Sequence, residues 1–90
     1  MQLTIITPDQ QVFEGEVESA TFPGSDGSFQ VLPNHAPLVS SLGKGEIEYR
    51  GSDGNGNVTV EGGVVEVLSN TVTVLAERVV EQEEESTTTE

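Results

Sequence analysis

His35 is the side chain of this 90-residue chain that can exchange a proton near neutral pH, so acid–base chemistry would have to involve it. Nucleophilic catalysis would need a hydroxyl activated by that imidazole and a third group that orients it. Ser40, Ser41 and Asp26 have suitable side chains, but no motif organises them. A structural or contact role for His35 is therefore the favoured interpretation, and no catalytic residue is predicted.

Residues 53–57, Asp-Gly-Asn-Gly-Asn, resemble the start of a calcium-binding loop. An EF-hand loop needs glycine at its sixth position and glutamate at its twelfth. Val58 and Val64 occupy these two positions, so the match fails. The chain has no cysteine, and no set of His and carboxylate residues has the spacing of a metal site. We therefore expect no metal and no other cofactor.

The loop that carries His35 is built to hold one backbone shape. Pro33 and Pro37 restrict the backbone on either side of it. Upstream, the segment 24–27, Gly-Ser-Asp-Gly, predicts a tight turn, because glycine reaches backbone angles that strain other residues. The segment 28–31, Ser-Phe-Gln-Val, alternates polar and apolar residues and predicts a half-buried strand. Such a rigid loop loses little entropy when a partner docks.

The elements around this loop are predicted to be strands. Short valine-rich runs alternate with polar residues, and turn segments such as 51–57 and 69–70 separate them. No segment before Arg78 has a sustained helical period. The pattern predicts an all-β, antiparallel β-sandwich of roughly eight to ten short strands over residues 1–80. Residues 81–90, Glu-Gln-Glu-Glu-Glu-Ser-Thr-Thr-Thr-Glu, are predicted to be a short disordered acidic tail.

Charge and hydropathy exclude several classes of partner. The net charge is −13, from 16 acidic and 3 basic residues, so nucleic acid is excluded and basic protein surfaces are favoured. No run approaches the ~20 apolar residues of a membrane span, so no direct membrane insertion is expected. The N-terminus has no basic region or cleavage site of a secretory signal. The lack of cysteine fits a cytosolic protein.

Two segments carry a resemblance to a known family. The first is the Gly24–Gly27 turn followed by Leu-Pro-Asn-His-Ala-Pro-Leu at 32–38. The second is Gly-Gly-Val-Val-Glu-Val at 62–67 followed by Val-Thr-Val-Leu-Ala at 72–76. Together they resemble the epsilon subunit of the rotary F-type ATP synthase, over about residues 3–77. The first motif is long and specific, whereas valine-rich alternation like that of the second occurs in many β proteins.

The resemblance implies a function without chemistry. The chain would be the β-sandwich part of a non-catalytic central-stalk (rotor) subunit of the proton-translocating ATP synthase. It would dock on the gamma subunit and on the c-subunit ring, and so help to couple ion flow to ATP synthesis. Its expected location is peripheral, on the cytoplasmic face of the bacterial inner membrane.

The resemblance also implies two contact surfaces. The gamma-facing surface would include Thr7, His35 and Ser40. The c-ring-facing loop would consist of Gly24, Ser25, Asp26, Gly27 and Ser28. Many relatives have glutamate where this chain has Ser28, which leaves Asp26 as the charge of that loop. Most relatives also continue into a C-terminal helical hairpin, which binds ATP in some members. This chain has the acidic segment 81–90 where those relatives have the hairpin, so the resemblance implies no nucleotide binding.

A different class of protein is the main alternative. A free-standing β-sandwich module that binds a small ligand or a carbohydrate would have an aromatic platform or a calcium site at one end. The aromatic residues are Phe13, Phe22, Phe29 and Tyr49, and alternation places three of them in the core. A small enzyme is a third possibility, but the chain lacks an organised nucleophile or acid–base pair.

Overall fold

The computed structural model describes residues 1–52 and 54–85, the last five of these through their backbone. The described residues form eight strands and no helix, which confirms the all-β prediction. The strands are β1 (Gln2–Ile6), β2 (Gln11–Glu16), β3 (Ser19–Gly24), β4 (Gly27–Val31), β5 (Leu38–Gly51), β6 (Gly54–Leu68), β7 (Thr71–Ala76) and β8 (Val79–Glu85). Over this part of the chain, no helix is long and apolar enough to cross a membrane.

The strands are hydrogen-bonded in the order β2-β1-β7-β6-β5-β3-β4, and β8 also pairs with β6. Every pair is antiparallel except β1 with β7, which run parallel. The sequence does not predict this parallel pair, because the two strands come from opposite ends of the chain. The sheet folds over on itself along the β5–β6 hairpin, whose strands are 14 and 15 residues long rather than short.

The two long strands change their inward-facing side halfway along. On β5 the less exposed positions are even-numbered from Leu38 to Leu42, of which Leu42 is buried, and the buried positions are odd-numbered from Ile47. On β6 they are even-numbered as far as Val60 and odd-numbered from Val65. Because side chains alternate between the faces of a strand, such a change needs an irregularity in both strands. Each long strand therefore contributes one half to each layer of the sandwich.

Two glycines make this bend possible on β6. Gly62 has φ of 80° and Gly63 has φ of 139°, angles that L side chains rarely adopt. A Cβ on Gly63 would lie 2.5 Å from the backbone oxygen of Leu75, on the neighbouring strand β7. The Gly-Gly pair thus lies where the backbones of β6 and β7 approach closely.

One hydrophobic core lies between the layers. Its largest fully buried side chains are Tyr49, Phe22, Leu3, Ile5 and Ile47, together with valines from β4, β6 and β7. The rings of Phe13 on β2 and Tyr49 on β5 pack with their centroids 4.1 Å apart. Burial of each such apolar side chain contributes about 1.5–3 kcal/mol. The described residues place no charged or polar side chain in this core.

Strand β8 extends five residues into the segment that composition assigns to the acidic tail. Its backbone pairs with β6 from Asn55 to Val60. Strand β7 pairs with β6 only from Gly63 onward, so β8 supplies hydrogen-bond partners for a stretch of β6 that would otherwise be a free edge. Composition alone does not reveal this pairing, because it depends on backbone groups rather than side chains. Residues 86–90 of the predicted tail lie outside the described residues.

Candidate functional site

The five residues predicted to face the c-ring form the tip of the β3–β4 hairpin. Gly24 pairs with Gly27, and Ser25 and Asp26 make the two-residue connection between them. Gly27 has φ of 129°, which the turn requires. A Cβ on Gly24 would lie 2.7 Å from the Gly27 oxygen. The four residues after Gly24 are exposed, so the structure brings this predicted set together at one projecting point.

The hairpin tip is fastened to strand β5. The Ser25 amide donates to the backbone oxygen of Ser41 at 3.1 Å, and the two serine hydroxyl oxygens lie 2.9 Å apart. These contacts hold the first residue of the turn. Asp26 beside it is exposed and forms no ion pair with any described residue. The arrangement is a rigid tip that presents one negative charge to solvent.

His35 lies in a loop that is tied to its own backbone and to a neighbouring turn. Its amide donates to the Leu32 oxygen at 3.2 Å, and its Nδ1 lies 2.8 Å from the Ala36 oxygen. A carbonyl oxygen only accepts, so Nδ1 carries the hydrogen. Asn34, with φ of 67°, donates its amide to Oδ1 of Asn70 at 2.7 Å. The imidazole is half-buried and held in place by the backbone.

The hydroxyl groups considered for catalysis are engaged elsewhere. The Ser40 hydroxyl donates to the Ser41 oxygen at 3.3 Å. The Ser41 hydroxyl contacts Ser25 rather than the imidazole. The geometry therefore does not assemble His35, a serine and Asp26 into a nucleophilic triad.

Thr7 closes a turn at the end of β1. Its amide donates to the Gln10 oxygen at 2.9 Å. Its hydroxyl donates to that same oxygen and accepts from the Gln10 amide, both at 3.3 Å. Ser40 lies on β5 opposite Val65 of β6, and it is half-buried.

The three predicted gamma contacts are spread over one layer and do not converge. The Gln2 amide donates to the Asn70 oxygen, which places the His35 loop near the start of β1, whereas Thr7 follows its end. Strand β1 has five residues, which span about 15 Å. Ser40 lies on β5, and β6 and β7 separate that strand from β1. A partner that touched all three would have to be a macromolecule rather than a small ligand.

The same layer presents apolar side chains to solvent, which the sequence analysis did not predict. Pairing aligns Ile6, Leu75 and Val64 in one row across β1, β7 and β6. Val39 is 70% exposed and Leu75 is 51% exposed, so these are not core positions. We call this surface the outer apolar face, and it comprises the half-buried Ile6 and the exposed Val39, Val64, Leu68 and Leu75. Exposed apolar side chains grouped on one layer make this face a candidate interaction site.

A cleft continues this face past the end of β1. It has a volume of about 370 Å³ and is lined by Ile6, Thr7, Pro8, Leu75, Ala76 and Glu77. One of the predicted gamma contacts, Thr7, thus borders the outer apolar face.

The outer apolar face has a signal in the sequence. Strand β6 has apolar residues at both parities from residue 64 to 68, whereas a sheet with one solvated face shows a clean alternation.

The aromatic side chains do not form a ligand platform. Phe13 packs on Tyr49, and the rings of Phe22 and Phe29 have centroids 5.5 Å apart. All four belong to the core or pack against it. No group of three or more metal-ligating side chains occurs among those that the structure describes, in residues 1–52 and 54–80.

Comparison with known proteins agrees with the resemblance. Residues 1–82 match the family model described as ATP synthase, Delta/Epsilon chain, beta-sandwich domain. The chain is 46% identical over 77 residues to the ATP synthase epsilon chain of Leptospira borgpetersenii, covering 86% of this chain and 61% of that relative. It is 45% identical over 78 residues to the epsilon chain of Wolinella succinogenes, covering 86% and 60%. The chain thus spans about three-fifths of the length of these relatives.

Solved structures show the same fold. A chain in the central stalk and c-ring structure of Tetrahymena thermophila mitochondrial ATP synthase superposes with a TM-score of 0.75 at 19% identity, covering 89% of this chain and 65% of that one. A chain of the Euglena gracilis mitochondrial ATP synthase superposes with a TM-score of 0.79 at 23% identity, covering 87% and 51%.

Proposed function

The chain belongs to the ATP synthase delta/epsilon β-sandwich family, and from that premise we propose that it is a non-catalytic rotor subunit of an ATP synthase. The observation that carries the proposal is the match of residues 1–82, nearly the whole described chain, to that domain. In this function the protein docks on the gamma subunit and on the c-ring and helps to couple ion flow to ATP synthesis. It works peripherally, on the cytoplasmic face of the bacterial inner membrane.

The c-ring contact is made by the tip of the β3–β4 hairpin, from Gly24 to Ser28. A part that transmits torque must resist displacement, and the link between Ser25 and Ser41 supports a tip that does not swing. Asp26 gives this tip one carboxylate for a basic side chain on a ring loop. Because an exposed ion pair contributes only about 0–1 kcal/mol, shape and backbone contacts carry most of this attachment.

The gamma contact is made by the layer that contains β1, β7, the second half of β6 and the first half of β5. Thr7 and the His35 loop lie at opposite ends of this layer, and the outer apolar face lies between them. Ser40 lies on β5 opposite the buried Val65, on the core-facing side of the strand. Burying apolar side chains that are exposed in the free chain stabilises the complex. The net charge of −13 adds attraction to basic partner surfaces and speeds encounter.

A binding experiment with the cognate partners tests this function. The purified chain is mixed with the purified gamma subunit, and separately with washed membranes that contain the c-ring. We expect a stable complex with gamma, and binding to membranes that increases when gamma is added. The chain by itself is expected to hydrolyse no ATP. If the chain bound neither gamma nor the membranes, the proposed function would be wrong.

A further inference from the structure

Glu66 occupies the middle of the outer apolar face. Its neighbours on β6 along the same face are Val64 and Leu68, both exposed. Directly across the adjacent strands lie Val39 on β5 and Thr73 on β7. Glu66 is itself exposed. It is therefore a carboxylate whose nearest same-face neighbours on three strands carry no charge.

The basic side chains of this chain do not neutralise that carboxylate. Lys44 and Arg78 both pair with Glu61, with nitrogen–oxygen distances of 3.9 and 3.6 Å. Arg50, the third basic residue, lies at the far end of β5, opposite Asn55. In the part of the chain that the structure describes, no ion pair involves Glu66.

This arrangement restricts what can cover the face. In the free chain water solvates Glu66, so its charge has little cost. A purely apolar partner surface would remove that water and leave a carboxylate without compensation, which is strongly unfavourable. A partner with a cation at the matching position would form a charge-assisted hydrogen bond in a partly desolvated setting, where such bonds are strong. One acidic residue thus selects among partners that are otherwise equally apolar.

We propose that Glu66 is a specificity-determining residue of the gamma contact, where it receives a lysine or arginine that gamma presents within an apolar segment. The inference rests on the proposed function, because it takes gamma as the partner that covers the outer apolar face. It goes beyond that function in naming the chemistry of the partner segment and the residue that recognises it.

The test measures the affinity of the full chain for the cognate gamma subunit in four variants. Glu66→Gln removes the charge and keeps the shape, and Glu66→Lys reverses the charge. Glu48→Gln is the matched control, since Glu48 is an exposed β-strand glutamate whose cross-strand neighbours, Thr21 and Asn57, are polar. Leu75→Ser tests the apolar face without changing charge. Thermal unfolding checks that each variant keeps the fold.

We expect Glu66→Gln to weaken binding about tenfold and Glu66→Lys by more than about a hundredfold. Glu48→Gln should stay within about twofold of the wild type. Raising the salt concentration from about 50 to about 500 mM should weaken the wild type more than Glu66→Gln, because screening acts on the ion pair.

The outcomes separate the inference from the proposed function. If Leu75→Ser weakens binding but Glu66→Gln does not, gamma covers the face and the role of Glu66 is wrong. If Glu66→Gln and Glu48→Gln weaken binding equally, the loss of affinity comes from the change in net charge rather than from position 66, and the inference is again wrong. If the wild type does not bind gamma at all, the proposed function fails and the inference fails with it.

Discussion

At the scale of single residues, the structure separates positions that hold the backbone from positions that contact solvent. Gly24 and Gly63 lie where a Cβ would collide with backbone oxygen. His35 and Thr7 use their hydrogen bonds to fix loops at opposite ends of one layer. Asp26 and Glu66 are exposed and have no ion pair among the described residues. The glycines and the hydrogen-bonded loop residues thus determine the shape of the backbone. The two exposed carboxylates are available to a partner.

Gly63→Ala should destabilise the fold by about 2–3 kcal/mol, because the substitution adds both backbone strain and a clash with the Leu75 oxygen. Gly27→Ala is the matched control. Gly27 has nearly the same φ, 129° against 139°, but has no atom within 4 Å of an added Cβ. It should therefore lose only about 1 kcal/mol. Urea unfolding measures both values, and equal losses would show that crowding at Gly63 is unimportant.

His35→Ala should leave the fold intact and weaken binding to gamma. Its side chain makes one hydrogen bond, to Ala36, so removing it should cost about 0.5–1.5 kcal/mol of stability. Calorimetric titration with gamma should show a loss of affinity of about fivefold or more. Unchanged affinity in a folded variant would mean that the His35 loop is not part of the gamma contact.

At the scale of elements, the long β5–β6 hairpin organises the molecule. Its halves belong to different layers, and its bend is the point where β7 ends and β8 begins along β6. Glu61 lies at this bend and forms two ion pairs there, with Lys44 on β5 and with Arg78 beyond β7. Such exposed pairs contribute little energy. The backbone hydrogen bonds of β6 with β5, β7 and β8 therefore hold the strands in register at the bend.

Strand β8 gives a prediction at this scale. A chain ending at Val80 lacks the residues that pair with β6 from Asn55 to Thr59, whereas a chain ending at Glu85 keeps them. The shorter chain should be less stable by about 1 kcal/mol, which lowers the melting temperature by about 4–8 °C. Circular dichroism during heating measures the difference. Identical melting temperatures would contradict a stabilising role for these five residues.

The sequence predicted the elements that depend on local patterns. The turn at Ser25 and Asp26 follows from its flanking glycines, and the strand 28–31 follows from alternation. The sequence did not predict the parallel pairing of β1 with β7, because neither segment alone contains information about a strand that is distant in the chain. The surroundings of Glu66 were missed for the same reason. Its neighbours Val39 and Thr73 come from two other strands, and only the register brings them together.

At the scale of the whole molecule, the protein combines two surfaces of different character. The hairpin tip is narrow, polar and fixed by hydrogen bonds to β5. The outer apolar face is broad and crosses several strands of one layer. One rigid core connects the two surfaces. A body of this kind can hold two partners at a constant relative position, which is what a rotor part requires.

The most direct test of this account places a cross-linker on the hairpin tip in the assembled enzyme. The chain has no cysteine, so Ser28→Cys provides a single attachment point for a maleimide photo-cross-linker. We expect a covalent product with the c subunit and undiminished ATP-driven ion pumping, because both partners turn together. A product with a stator subunit, or a loss of pumping in proportion to the yield of cross-linking to the ring, would contradict it.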